Sequence, residues 1–352
     1  MTALRLAGSR GADVLVRDHF CVKPGETVAV TADSATDAGT IEAVVNAAAA
    51  AGAKPLLLTI PQLPFQGTLA DPYIPEALGR AVSIADVWFD LTFPYLAGSQ
   101  MHDKAMKAGR ARYLLIGDVK AAGLDRLYGA VDLDRLFAVQ EALDGFLTDS
   151  EGAECRITSP AGTDITLRLG RITTKKRRRT DVPGTSTVMG SAIFYPVPET
   201  VRGEIVLEAM FHEFYTILPE PIRLTVDDKI RELRGGGAHR IVADRALRRA
   251  AGGDYGRIIH LTIGFHPAAQ FVGASFVEDI RSVGANAIGL GLPWWEPGGG
   301  ENHPDAVVTA QSVWIGGRQI VRDGLPVYPG DLQDKLQQLV AAAGWPSAGG
   351  ER

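Results

Sequence analysis

The run Thr27-Val28-Ala29-Val30-Thr31, the alanine-rich stretch from Thr36 to Ala51 and the run Lys54-Pro55-Leu56-Leu57-Leu58-Thr59-Ile60 decide the fold class. Two short apolar runs flank one longer segment rich in helix formers, the strand, helix, strand pattern of a parallel α/β unit. The pattern repeats outward: a helix around Pro75 to Val82, a strand from Ala85 to Leu91, a helix from Ser99 to Gly109 and a strand from Arg112 to Gly117. Four apolar strands with helices between them predict an α/β, doubly wound parallel-sheet domain over residues 1–148.

Beyond it the texture changes. Glu154 to Ser159 and Ile165 to Leu169 are alternating runs joined by Pro160-Ala161-Gly162-Thr163-Asp164, which reads as a hairpin. Further strands are expected at Gly203 to Glu208, Ile222 to Val226, Arg257 to Ile263 and Ala306 to Ile315. Residues 149–352 are therefore expected to form an α+β domain of mixed or antiparallel sheet, ending in a frayed tail.

Composition narrows the function classes. Of 352 residues, 46% are hydrophobic and 22% charged, which suits a folded chain with a sizeable core, and the length suits two domains. A formal net charge of −5 provides no basic field for nucleic acid or anionic lipid. No apolar run reaches a membrane span and the first residues lack a signal-peptide build, so no membrane partner and a cytoplasmic location are expected. Two distant cysteines, Cys21 and Cys155, argue against a thiolate metal site. Forty glycines invite a nucleotide-site test, but Ala32-Asp33-Ser34-Ala35-Thr36-Asp37 follows the first strand without the required glycines. Gly235-Gly236-Gly237 and Gly298-Gly299-Gly300 lack a following Lys-Ser/Thr and read as turns.

The histidines carry the chemistry. His303-Pro304-Asp305 puts an imidazole and a carboxylate two positions apart, on one face if the segment is extended. His260, inside the apolar run Ile258 to Ile263, is expected to be buried and to need a partner. Two imidazoles and a carboxylate with open positions form the facial triad of non-haem Fe(II) oxygenases, and the same set suits a hydrolytic Zn(II). An isolated H-x-D pair also occurs in surface turns, and a lone buried histidine is more often a satisfied core residue. His266 suits a substrate contact or a turn cap, and His212 beside Glu213 is a further candidate. His19, His102 and His239 read as surface residues.

The string His260-Leu261-Thr262-Ile263-Gly264-Phe265-His266-Pro267-Ala268-Ala269-Gln270-Phe271, with His303-Pro304-Asp305 downstream, resembles the 2,5-dihydroxypyridine 5,6-dioxygenases, a family related to the thermophilic metallo-aminopeptidase T group. The resemblance extends to Val22 through Val30 and to Pro196 through Leu224. It implies a mononuclear Fe(II) enzyme that cleaves a hydroxylated aromatic or N-heteroaromatic ring with O2, and its iron ligands fall on His260, His303 and Asp305. The two-metal peptidase branch would need further ligands. One such glutamate position is occupied by His260, Gly190-Ser191 replaces a glycine-glutamate motif, and no histidine occurs near Ala285-Asn286-Ala287. The dioxygenase pattern also has histidines where this chain reads Thr92-Phe93-Pro94-Tyr95-Leu96 and Thr185-Ser186-Thr187-Val188-Met189, which leaves its acid/base group and substrate open.

The remaining candidates follow from that chemistry. Tyr195, Glu199, His266 and His212 are candidates to move a proton. Phe93, Tyr95 and Trp294 are candidate pocket walls, the last within an aromatic loop that reads as a lid. Arg177 and Arg178, in Lys175-Lys176-Arg177-Arg178-Arg179, are candidates to bind a substrate anion, the alternative being a solvated loop. Glu278-Asp279 reads as a ligand-orienting pair or a solvated acidic pair. The partners expected are a small aromatic substrate and O2, with the chain as a homo-oligomer; Zn or another divalent metal and an aminopeptidase or amidohydrolase activity form the competing expectation, and a non-catalytic metal-dependent binding protein a third.

Overall fold

A computed structural model of the chain describes residues 7–172, 179–292 and 303–343. They fall into two compact units, Met1–Leu133 with Lys176–Met189, and Asp134–Lys175 with Gly190–Arg352. Both have mixed α/β character, the first built on a parallel sheet and the second on a curled antiparallel one.

The parallel sheet runs in the order Lys54–Ile60, Thr27–Asp33, Val87–Asp90, Arg112–Leu115, Gly184–Thr187. Four of these strands are the apolar runs legible in the sequence. The fifth comes from a segment assigned by sequence to the second domain, and Gly184-Thr185-Ser186-Thr187 carries no apolar run to announce it. The helix Ala38–Ala50 starts where Asp37 accepts the Thr40 amide at 3.1 Å, an N-cap that ends the preceding loop. Trp88, Phe89 and Tyr113 are fully buried between the sheet and its helices. Among them Asp90 is also fully buried and accepts hydrogen bonds from Thr31 Oγ1 (2.9 Å), Thr92 Oγ1 (2.6 Å) and Tyr113 Oη (2.8 Å). Burial pushes its carboxyl pKa up, and those three donors pull against the rise. His19 and His102, expected at the surface, are buried too, His102 with its ring edge-on to Tyr113 at 4.7 Å between centroids.

The second unit carries a sheet of twelve strands among the described residues. Its expected hairpin is present as Glu154–Thr158 paired with Asp164–Arg168. From there the ladder continues through Arg202–Phe211, Asp305–Val308, Asn286–Gly291 and Arg257–Gly264 to Ser191–Phe194. The expected single strand from Ala306 to Ile315 is two strands, Asp305–Val308 and Ser312–Ile315, which pair with different neighbours; Ala310 between them has φ 47, outside the strand region. Gly235-Gly236-Gly237 is not a simple turn either. It ends the strand Lys229–Gly235 and opens the helix Gly237–Ala250, with φ of 71, 75 and 49, left-handed values that glycine adopts without penalty.

Candidate metal centre

Three adjacent antiparallel strands build the site. Arg257–Gly264 pairs with Asn286–Gly291, which pairs in turn with Asp305–Val308. His260 stands directly opposite Gly289, and Gly289 directly opposite Asp305. Residues directly opposed across a ladder point to the same face, so the imidazole and the carboxylate reach toward each other over a residue with no side chain. The register shifts between the pairs Ile258–Leu290 and His260–Gly289, leaving Ile259 as an extra residue. Such a bulge bends and twists its strand, here one residue before the imidazole it aims.

His303 enters just before the third strand. Its Nε2 lies 2.9 Å from His260 Nε2, and Asp305 Oδ1 lies 3.1 Å from His260 Nε2 and 3.8 Å from His303 Nε2. Among the described residues these three side chains form the group whose donor atoms converge closely enough to hold a metal ion. Metal–ligand bonds of about 2.1 Å separate donors by about 3.0 Å at right angles and about 3.4 Å at a tetrahedral angle. Two of the three separations match the right-angled arrangement, in which three ligands occupy one side of an ion and leave the other open.

The surroundings suit a cation. Both imidazoles are buried, at 9% and 8% exposed, and Asp305 Oδ1 is buried without accepting a hydrogen bond among the described residues. A buried carboxylate oxygen aimed at two imidazole nitrogens is costly until a positive charge joins them. Burial pulls the His303 pKa down to about 4; Asp305 opposes that shift and His260 adds to it. The neutral, metal-ligating form of His303 therefore prevails at ordinary pH.

The flank of the site is aromatic. Phe211 stands opposite Asp305 on the next strand and Tyr215 opposite Phe211, continuing the same face. Phe276 packs against both, with centroid distances of 5.9 and 5.5 Å. Neither Gly289 nor Phe211 carries a local sequence signal, because their roles come from cross-strand register.

The other sequence candidates are placed as follows. His266 is fully buried, and its Nδ1 accepts the amides of Ala268 and Ala269, both at 3.2 Å, so it caps the turn after the strand Arg257–Gly264. His212 is buried, accepts the Glu213 amide on Nδ1 at 2.8 Å and stacks on His239 at 5.8 Å between centroids. Glu199 is largely exposed and takes a 2.8 Å hydrogen bond from Arg257, so it serves a surface ion pair instead of joining the triad. Tyr195 is half-buried, just past the strand Ser191–Phe194 that pairs with Leu261 to Gly264. Phe93 and Tyr95 belong to the first unit, where they pack edge to face at 5.0 Å. Arg177, Arg178 and Trp294 lie outside the described residues.

Glu278 and Asp279 are not a solvated pair. Both are fully buried and bind backbone amides: Glu278 Oε1 accepts from Gln270 at 3.1 Å, while Asp279 Oδ1 and Oδ2 accept from Val272 at 2.7 Å and Gly273 at 2.8 Å. The Asn286 amide, on the strand between the two ligand-bearing strands, is likewise satisfied. Asn286 Oδ1 accepts the Thr262 amide at 2.8 Å and its Nδ2 donates to Gln311 at 3.0 Å.

Comparison with known proteins agrees with this architecture. No curated protein matches the chain by sequence. The chain resembles the solved 2,5-dihydroxypyridine dioxygenase of Pseudomonas putida KT2440, with a TM-score of 0.70 and 19% identity over 92% of this chain and 97% of that one. It also resembles wild-type AmpT of Thermus thermophilus, with a TM-score of 0.61 and 16% identity over 91% and 99%. At these identities the structural likenesses establish the aminopeptidase T-like fold. No helix among the described residues is long and apolar enough to cross a membrane. The sequence model of the NicX family, 2,5-dihydroxypyridine 5,6-dioxygenase, matches residues 17–327, and the chain belongs to that family of ring-cleaving dioxygenases.

Proposed function

We propose that the chain is a mononuclear non-haem Fe(II) dioxygenase that opens a hydroxylated aromatic or N-heteroaromatic ring, such as a dihydroxypyridine, with O2. The observation that carries this reading is the convergence of His260 Nε2, His303 Nε2 and Asp305 Oδ1 within 3.8 Å on one buried sheet face. Membership of the dioxygenase family supports the reaction class.

In this reading His260, His303 and Asp305 hold the iron, which when bound supplies a redox-active centre with positions open to an electron-rich ring and O2. Two imidazoles and one carboxylate would neutralise only one charge of a divalent ion, so the residues of a loaded site would leave it attractive to an anionic ring oxygen. The sheet closes one side of the triad, so substrate approaches from the other. Phe211, Phe276 and Tyr215 give that approach an aromatic flank, which suits a flat ring. His212, near pKa 4 through burial and the neighbouring His239, is a weak base whose Nδ1 already holds the Glu213 amide, which leaves Tyr195 as the better candidate for proton movement.

The test is anaerobic purification, metal analysis and oxygen-uptake assays over hydroxylated pyridines and catechols. About one iron per chain with substrate-dependent O2 consumption, lost on His303→Ala, is the expected result. A zinc pair with peptide turnover and no O2 uptake would establish an aminopeptidase of the AmpT type instead.

A further inference from the structure

Gly289 occupies the middle of the strand between the two ligand-bearing strands, and its backbone needs no special freedom. Its φ lies outside the left-handed range, unlike that of Gly291 two residues on, at 104. An L-residue would therefore fit the strand conformation. The space beside it would not admit one. A Cβ placed on residue 289 would sit 2.5 Å from both Cδ2 and Nε2 of His260 and 3.0 Å from Cδ2 of His303. The three nearest atoms it would meet all belong to the two imidazoles, and no backbone atom is among them.

We propose that Gly289 is a positioning residue whose missing side chain lets the two imidazoles converge with Asp305, and that a single methyl there is enough to prevent metal capture. The proposal rests on the metal reading of the triad. Neighbouring strands stand about 4.8 Å apart, so His260 and Asp305 lie two strand spacings from each other and must lean over the strand between them to share an ion. A methyl at 289 fills that gap. His260 must then rotate away, its Nε2 leaves the 2.9 Å and 3.1 Å contacts with His303 and Asp305, and the donor set falls from three to two. The same crowding acts on the metal-free protein, because the clash is with the rings themselves. Gly289→Ala is accordingly coupled to His260 and His303 with or without an ion.

The experiment uses Co(II) as the probe, added anaerobically to metal-free full-length protein, with affinity and visible absorption as readouts independent of turnover. Wild type is expected to bind about one Co(II) with a spectrum that His303→Ala abolishes. Gly289→Ala is expected to keep the wild-type circular dichroism yet bind Co(II) at least about 100-fold more weakly, with an altered spectrum. A double-mutant comparison completes the test: Gly289→Ala lowers the melting temperature of the metal-free protein, and that loss disappears in the His260→Ala/His303→Ala background. Should Gly289→Ala alone fail to fold, the triple variant still decides, since folding as well as its His260→Ala/His303→Ala parent supports the proposal and failing to fold overturns it. Co(II) affinity within about threefold of wild type with the same spectrum overturns it, as does an equal loss of melting temperature in both backgrounds. A wild-type protein that takes up no Co(II), or a His303→Ala protein that binds it unchanged, overturns the metal reading and the proposal together.

Discussion

The Tyr215 phenol donates to Asp279 Oδ2 at 2.6 Å across 64 positions of sequence, and the same carboxylate holds the amides of Val272 and Gly273. One buried side chain thus ties the strand Tyr215–Asp227 to the loop that follows His266. Removing the carboxylate leaves two amides and a phenol without their acceptor, whereas removing the hydroxyl leaves the amides served. Asp279→Ala is therefore expected to cost roughly 3 kcal/mol or more and Tyr215→Phe about 1 kcal/mol, from ~1–3 kcal/mol per stranded buried group. Urea denaturation of both variants checks the ordering; equal costs would mean that the phenol, not the loop, is what the carboxylate secures.

Asp90 plays the corresponding part in the first unit. With donors converging on it from Thr31, Thr92 and Tyr113, Asp90→Ala is expected to lower stability by roughly 3 kcal/mol or more. Asp90→Asn keeps an acceptor and the shape, so its cost should be smaller. Guanidinium denaturation followed by circular dichroism reads both.

Burial draws His212 and His303 down to about 4 from the ordinary value of 6.5. Because the folded pKa is the lower one, the unfolded chain binds more protons between pH 6.5 and 4, and stability falls as the pH drops through that window. Above it these two residues contribute no slope. Metal-free protein should lose stability between about pH 7 and pH 4.5, and His212→Gln should lose less over the same interval. Chemical denaturation at the two pH values measures this; a difference unchanged by the substitution would rule out His212 as a source.

Metal loading should stabilise the fold by mass action. At a free metal concentration one hundred times Kd the gain is about 2.7 kcal/mol, seen as a melting temperature that climbs with the logarithm of metal concentration. His303→Ala should flatten that dependence. Differential scanning calorimetry across a metal titration provides the measurement.

Glu199 is a sequence candidate for proton transfer that the structure puts in an exposed ion pair with Arg257. Glu199→Gln should leave kcat within about threefold and stability essentially unchanged, as for exposed surface pairs. A fall in kcat of a hundredfold would return it to the chemistry.

What the sequence disclosed divides along local and non-local lines. Lys54 to Ile60 announces itself as a strand because its residue types suit one, and His303-Pro304-Asp305 announces a ligand pair because two positions of spacing set its geometry. Gly184-Thr185-Ser186-Thr187 has neither property; it is a strand because Arg112–Leu115 offers it an open edge. Glu278 and Asp279 look like surface acids because their partners, the amides of Gln270, Val272 and Gly273 and the distant Tyr215 phenol, leave no mark on composition. Gly289 was just one of forty glycines until the register set it between His260 and Asp305.

That late-arriving strand has a bearing on how the chain is made. Synthesis from the N-terminus completes four strands of the parallel sheet by Leu115, then moves on to the Glu154–Thr158 and Asp164–Arg168 hairpin of the other unit before returning with Gly184–Thr187. Until then the nascent chain carries an unsatisfied edge at Arg112–Leu115, the sort of edge that invites pairing with a stray strand. No single cut separates the two units into unbroken pieces. A fragment ending near residue 148 would keep that edge for good and should aggregate where the full chain does not.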